Sequence, residues 1–222
     1  MQLGGVMGGI YKISDVMMKL AYLNLLWLLG VLTGAVVLGI MPATIALFSI
    51  IRSWLLKDDT LIFHKKFIEV YKKEFFKSNL LGAGISFIMY LLFINFQVAA
   101  LVVESHIIMY VLFFINIFVA AALALLLLFI FPIYVHFEMN LFQKVKLAMM
   151  MGITSPHITF AILVVIFLFT LLFIFIPGAL FFFSISALAY CMMGVNLKKI
   201  NDIKDKLSAA PELRPQELIK QN

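Results

Sequence analysis

The sequence predicts an all-α fold: a polytopic transmembrane helical bundle of five long spans plus one short helix, in three hairpins, with an amphipathic helix on the cytoplasmic side. Three observations predict it. Four stretches, Leu20–Ile51, Ser78–Val103, Ser105–Phe137 and Leu147–Leu197, contain no Asp, Glu, Lys or Arg. A bilayer core about 30 Å thick is crossed by about 20 apolar residues at helical rise, so each stretch has the length of at least one crossing. Hydrophobic residues make up 64% of the 222, and the mean hydropathy is +1.12; soluble domains are only about half apolar. Finally, the 17 basic residues all lie between or beyond these stretches.

The first helix is expected over Ile10–Gly39. Its apolar run exceeds the roughly 7 to 15 residues of a secretory signal, so it is read as a retained span. Next comes Ala43–Leu56, with Pro42 at its start, a position where the missing N–H of proline costs nothing. At 1.5 Å per residue it covers only about 21 Å. Charge placement argues that it crosses nonetheless, because Lys and Arg are enriched in cytoplasmic segments. If it crosses, Lys12 and Lys19 share one side with the group from Arg52 to Lys77, with Lys144 and Lys146, and with the basic tail from Lys198 onward. Both termini are then cytoplasmic. If it does not cross, Lys12 and Lys19 are exported.

Leu61–Lys77 reads as an amphipathic helix. At 100° per residue Phe63, Phe67, Ile68, Val70, Tyr71 and Phe75 share one arc, and Lys65, Lys66, Lys72, Lys73 and Lys77 fall opposite. Glu74 intrudes on the apolar arc and Phe76 on the basic one. Asp58, Asp59 or Thr60 is expected to cap its start. This pattern fits a helix in the anionic inner-leaflet headgroup layer, or a cytoplasmic helix packed on neighbouring loops. Long spans follow at Leu80–Val103, Ile107–Val135, Ile158–Ile176 and Ala179–Leu197. The third of these is Leu, Ile, Val or Phe at every position except Thr159, Ala161 and Thr170, worth about −5 to −10 kcal/mol on insertion. The more polar segment Glu138–Gly152 precedes the third hairpin as Leu61–Lys77 precedes the second, which suggests an internal repeat. Residues 1–197 form one integral membrane domain, and 198–222, with Pro211 and Pro215 and no buried stripe, a mobile tail.

Polar side chains inside the spans are the first place to look for function. Asn24, Asn95, Gln97 and Asn116 are the main ones. Asn95 and Asn116 lie at similar depth in a hairpin turning near Ser105, and a hydrogen bond between them is expected. Interhelical glue is the plain reading and a solute site the sharper one. Transport of charged solutes calls for an ionisable group at mid-membrane, and the apolar stretches supply none. His136 and Glu138 point about 200° apart on a helix, so no metal site is read there. Cys191 is the single cysteine and reads as packing. No Ser, His and carboxylate set and no phosphate loop is recognisable, so neither catalysis nor a cofactor is expected. The net charge of +6 follows from membrane topology and needs no nucleic-acid partner.

The run LNLLWLLGVLTGAVVLGIMPATIALFSIIRSWLLKDD over Leu23–Asp59, followed by FHKKFIEVYKKEFFKSNLLG, resembles the YesL-like family of bacterial membrane proteins. The likeness lies in the Asn-Leu-Leu-Trp entry, the Pro-Ala-Thr start of a short helix ending in Arg and Trp, and the basic aromatic helix that enters the next span. Met41 stands where such proteins often carry Gly. The resemblance implies a domain of unassigned function linked to carbohydrate uptake, and it brings no catalytic residues. Two functions follow as expectations: a non-enzymatic accessory protein that binds a sugar transporter permease, or a small-solute transporter or channel.

Overall fold

The computed structural model describes residues 6–58, 60–101 and 106–209. Seven helices appear among them: α1 (Val6–Thr33), α2 (Val37–Leu55), α3 (Phe63–Leu101), α4 (His106–His136), α5 (Leu141–Thr154), α6 (Pro156–Phe175) and α7 (Pro177–Ala209). All but α5 are long and apolar enough to cross a membrane. The protein is a multi-pass membrane protein built as an all-α bundle, with hairpins α1–α2, α3–α4 and α6–α7.

The first turn falls earlier than the sequence suggests. It lies at Gly34–Val36, so α2 is a helix of 19 residues rather than a short one beginning at Ala43, and Pro42 lies inside it rather than at its start. The cause is a Schellman motif. The Val36 N–H reaches the Val31 carbonyl at 3.0 Å and the Ala35 N–H reaches the Leu32 carbonyl at 3.2 Å, which satisfies the last carbonyls of α1. Ala35 (φ 53°) adopts a left-handed conformation that glycine would normally take, and Val36 (φ 66°, ψ −69°) is the centre of a γ-turn closed by the Val37 N–H on the Ala35 carbonyl at 2.9 Å. Gly39 lies against the backbone of Gly30 and Val31, too close for any side chain at 39.

At 19 residues α2 reaches about 28 Å, close to the hydrocarbon thickness. It is also the centre of the bundle, touching α1, α3, α4 and α7. Ala43, Ala46, Leu47, Ile50 and Ile51 are all inaccessible. Small residues set the spacing: a side chain on Gly30 would meet the Ala43 methyl at 3.2 Å and the Phe67 ring at 2.9 Å. In lipid such close van der Waals contact, rather than escape from water, holds helices together. Phe48 stacks on Phe131 of α4 at 5.4 Å, and Trp27 donates to the Thr44 hydroxyl at 3.1 Å. Met41 fits because Gly82 of α3 faces it; a Cβ at 82 would stand 2.6 Å from the Met41 Cγ.

Two further boundaries differ from expectation. Leu61–Lys77 is not a separate helix: α3 runs unbroken for 39 residues, about 58 Å at helical rise. Nothing between Lys77 and Leu80 breaks it. Glu138–Gly152, by contrast, stands apart as α5, because Pro156 excludes Ser155 from helical geometry (φ −130°, ψ 61°). The capping box between Asn140 and Gln143 fixes the start of α5. Lastly, α7 continues twelve residues beyond Leu197, and Ile200 is fully buried in the core, so the first half of the expected tail is ordered helix. The remainder of the tail, with Pro211 and Pro215, lies outside the described residues.

The left-handed Ala35 is a strained position, and Ala35→Gly is expected to raise stability in detergent by about 1 kcal/mol. Thermal unfolding of the purified protein checks this, with Ala35→Val expected to move the midpoint down. Unchanged midpoints in both variants would contradict the turn.

Candidate functional site

The basic face of α3 is where the sequence places it. Lys65, Lys72, Lys73 and Lys77 are exposed, and Lys66 is half-buried beside Glu69 at 3.8 Å. The apolar arc behind them has a different destination from a free headgroup-layer helix. Phe67 is buried, Tyr71 donates to the Gly30 carbonyl of α1 at 2.9 Å, and Phe63 packs against Tyr22 and Trp54. That arc is therefore packed on α1 and α2. Ile68 and Phe76 remain outward among the lysines, 52% and 84% exposed. At the start of the helix Asp58 accepts from the Thr60 N–H and hydroxyl, at 3.1 and 2.7 Å. These bonds hold its carboxyl below the usual range. Asp58 thus closes its own turn instead of capping α3, and Asp59 lies outside the described residues.

The four intramembrane amides separate into distinct roles. Asn24 is fully buried on α1. Its Nδ2 donates to the Phe181 carbonyl at 2.7 Å, while its Oδ1 accepts from the Ile185 and Ser186 N–H groups at 3.2 and 3.3 Å. Phe181 and Ile185 are the two ends of one rung of the α7 ladder. One side-chain amide thus engages both ends of that rung and ties α1 to α7. Asn116 donates to the Leu112 carbonyl of its own helix at 3.2 Å rather than across to Asn95, because a carbonyl one turn back is always in reach. Asn95 and Gln97 are exposed on α3, without a hydrogen-bond partner among the described residues.

A second polar cluster joins α3, α4 and α5. Tyr134 donates to Glu74 at 2.8 Å. Lys144, buried at 8% exposure, donates to the Tyr134 carbonyl at 3.1 Å and lies 3.7 Å above the Tyr134 ring, a cation–π contact. Burial pushes the Lys144 ammonium below its ordinary pKa; Glu74 opposes this, Lys77 adds to it and Glu138 opposes it. Nearby, Arg52 Nε donates to His136 Nδ1 at 3.1 Å, which places the His136 proton on Nε2. The sequence held one clue to this cluster: Glu74 sits in an otherwise apolar arc, where a carboxylate needs a partner. Lys144 and Tyr134 gave no comparable signal. Among the described residues no three His, Cys, Asp or Glu side chains lie close enough to hold a metal.

Asn24→Leu is expected to lower stability in detergent by about 1 to 2 kcal/mol, whereas Asn116→Leu, losing only a bond within its own helix, costs less; chemical or thermal unfolding ranks the two. For Lys144 the sign follows from linkage. The unfolded chain binds the extra proton between the lowered and the ordinary pKa, so stability rises with pH across that window. The unfolding midpoint of the native protein is expected to climb as pH approaches 10, with Lys144→Met showing a flatter profile. Equal slopes would contradict the burial of this charge.

Comparison with known proteins finds relatives along most of the chain. Residues 20–96 match the family described as "Protein of unknown function, DUF624". The chain is 34% identical over 195 residues to "Uncharacterized protein YteU" of Bacillus subtilis (strain 168), covering 88% of this chain and 86% of that protein. It is 30% identical to "Uncharacterized protein YesL" of the same organism over 156 residues, 69% of this chain and 71% of the relative. "Uncharacterized protein YesV" is 28% identical over 159 residues, 72% and 76% of the two chains. No solved structure matches the chain. With YteU aligned over most of both chains and YesL over more than two thirds of its own, the chain belongs to the YesL-like DUF624 family of proteins of unknown function.

Proposed function

We propose that this protein is a non-enzymatic accessory component of a carbohydrate uptake system in the bacterial cell membrane, with both termini cytoplasmic and with its apolar helices against a sugar transporter permease. The observation that carries this reading is the employment of its polar groups. Asn24, Tyr134 and Lys144, all buried, are engaged in joining helices, while the exposed lysines of α3 form a solvent-side stripe. The first set suits a scaffold and the second suits an anionic inner leaflet, where each Lys contributes about 1 kcal/mol. Ile68 and Phe76, outward beside the lysines, add apolar anchors at the same surface. The link to carbohydrate uptake rests on the pattern over Leu23–Asp59 that resembles the YesL-like proteins.

Affinity purification from native membranes into lipid nanodiscs tests the proposal. A sugar permease is expected to accompany the protein in fixed ratio, and the purified protein alone is expected to give no sugar flux in liposomes. Flux through the purified protein without a permease would overturn the accessory role in favour of an independent transporter or channel.

A further inference from the structure

We propose that Arg52 of α2 and His136 of α4, with Lys204 of α7 beside them, form a binding site for a phosphate group at one end of the bundle. The inference is independent of the accessory role. Arg52 and His136 stand at matched depth by sequence: the charge-free stretch Leu20–Ile51 ends at the residue before Arg52, and Ser105–Phe137 ends at the residue after His136. At such a boundary hydrocarbon gives way to the polar headgroup layer, where lipid phosphates lie.

The hydrogen bonds of this group leave donors unmatched. Arg52 Nε donates to His136 Nδ1 at 3.1 Å, which makes the imidazole a donor at Nε2. That Nε2 is enclosed and meets no acceptor among the described residues. An enclosed N–H without an acceptor is unfavourable. Arg52 repeats the surplus. It is half-buried, and with Nε spent on a neutral ring, its Nη groups have no acceptor among the described residues. Unlike His136 Nε2 they are not enclosed, so a ligand reaches the group from the guanidinium side.

Charge selects the ligand. Lys204 lies within electrostatic range of His136, and Glu138 within range of Arg52. Glu138 is exposed and makes no ion pair with Arg52. Two cations against one carboxylate favour an anion. A guanidinium fork takes two phosphate oxygens at once, a third oxygen is left for the imidazole N–H, and the Lys204 ammonium adds attraction without demanding a fixed geometry. By holding Nε, His136 also fixes the direction of the fork. A lipid phosphodiester meets these donors from the headgroup layer, and a soluble phosphate meets them from the water beyond.

Ligand-induced stabilisation of the delipidated protein in maltoside micelles tests the proposal, with dioleoylphosphatidylglycerol and inorganic phosphate as separate probes and uncharged dioleoylglycerol as the control. A rise in the unfolding midpoint with phosphatidylglycerol alone marks a headgroup site, and a rise with inorganic phosphate marks a site that takes the soluble ion. No rise with either, or an equal rise with dioleoylglycerol, overturns the proposal. Arg52→Lys keeps the charge and loses the fork, and is expected to weaken binding about ten-fold. His136→Gln, which retains an N–H donor, is expected to bind better than His136→Leu. Lys204→Gln, at an exposed position, is expected to unfold like the native protein without ligand and to bind about five-fold more weakly. This variant decides the matter if changes at Arg52 or His136 impair folding: native affinity in Lys204→Gln contradicts the site. Lys12→Gln, exposed on α1, is expected to bind as the native protein does, and an equal loss there would show diffuse surface charge in place of a site.

Discussion

A bilayer interior gives no hydrogen bond to a stranded N–H, C=O or amide, so each polar group of a spanning helix must be paired within the protein, carried to the boundary or matched by another chain. The placement of polar residues in this protein follows from that constraint. Backbone groups pair along the six apolar helices, apart from the rungs that Pro42 in α2 and Pro132 in α4 remove. The carbonyls at the end of α1 are closed by the turn at Gly34–Val36. Asn24 is absorbed by the α7 ladder, and Trp27 by Thr44. Ionisable groups gather where α2, α3, α4 and α5 meet: Arg52 with His136, and Glu74 with Tyr134 and Lys144.

Packing around α2 links these polar ties. The helix touches four others, and its Ala43, Ala46, Ile50 and Ile51 are closed off by them. That closeness depends on Gly30 and Gly39 on one side and on Gly82, which makes room for Met41, on the other. Asn24 fixes α7 to α1, and Tyr71 fixes α3 to the same helix. The helix ends nearest the α3 lysines are held by aromatic contacts, with Trp54 against Phe63 and Tyr190 and with Lys19 above the Trp54 ring. Surfaces away from this core, along the second half of α3 and much of α6, are apolar and open, as contact with lipid or another helix requires.

Spans were legible in the sequence because hydrophobic length is a one-dimensional property: the charge-free stretch Ser105–Phe137 matches α4 almost to the residue, and the expected span Ile158–Ile176 lies within two residues of α6 at either end. Turn chemistry was harder to read. Gly39 and Pro42 looked like the end of one helix and the start of the next, but the positions of positive φ fell on Ala35 and Val36, which carry no turn signature. Continuity was half legible. Pro156 marks the break between α5 and α6, whereas nothing in Leu61–Leu80 shows that an amphipathic segment and a span are one helix. The lysine face was readable from helical period; the destination of its apolar face was not, because Gly30 and Tyr22 are distant in sequence. Pairing of Lys144 with Tyr134 requires two helices to meet, and no local pattern encodes that.

The central claim is that α2 completes a crossing, so that the lysines of α3 share a side with Lys12 and Lys19. Membrane-impermeant thiol labelling of intact cells tests it most directly, using Ala35→Cys and Lys72→Cys singly in a Cys191→Ala background. Position 35 is expected to label in intact cells and position 72 only after permeabilisation. Labelling of position 72 in intact cells would contradict the six-crossing arrangement.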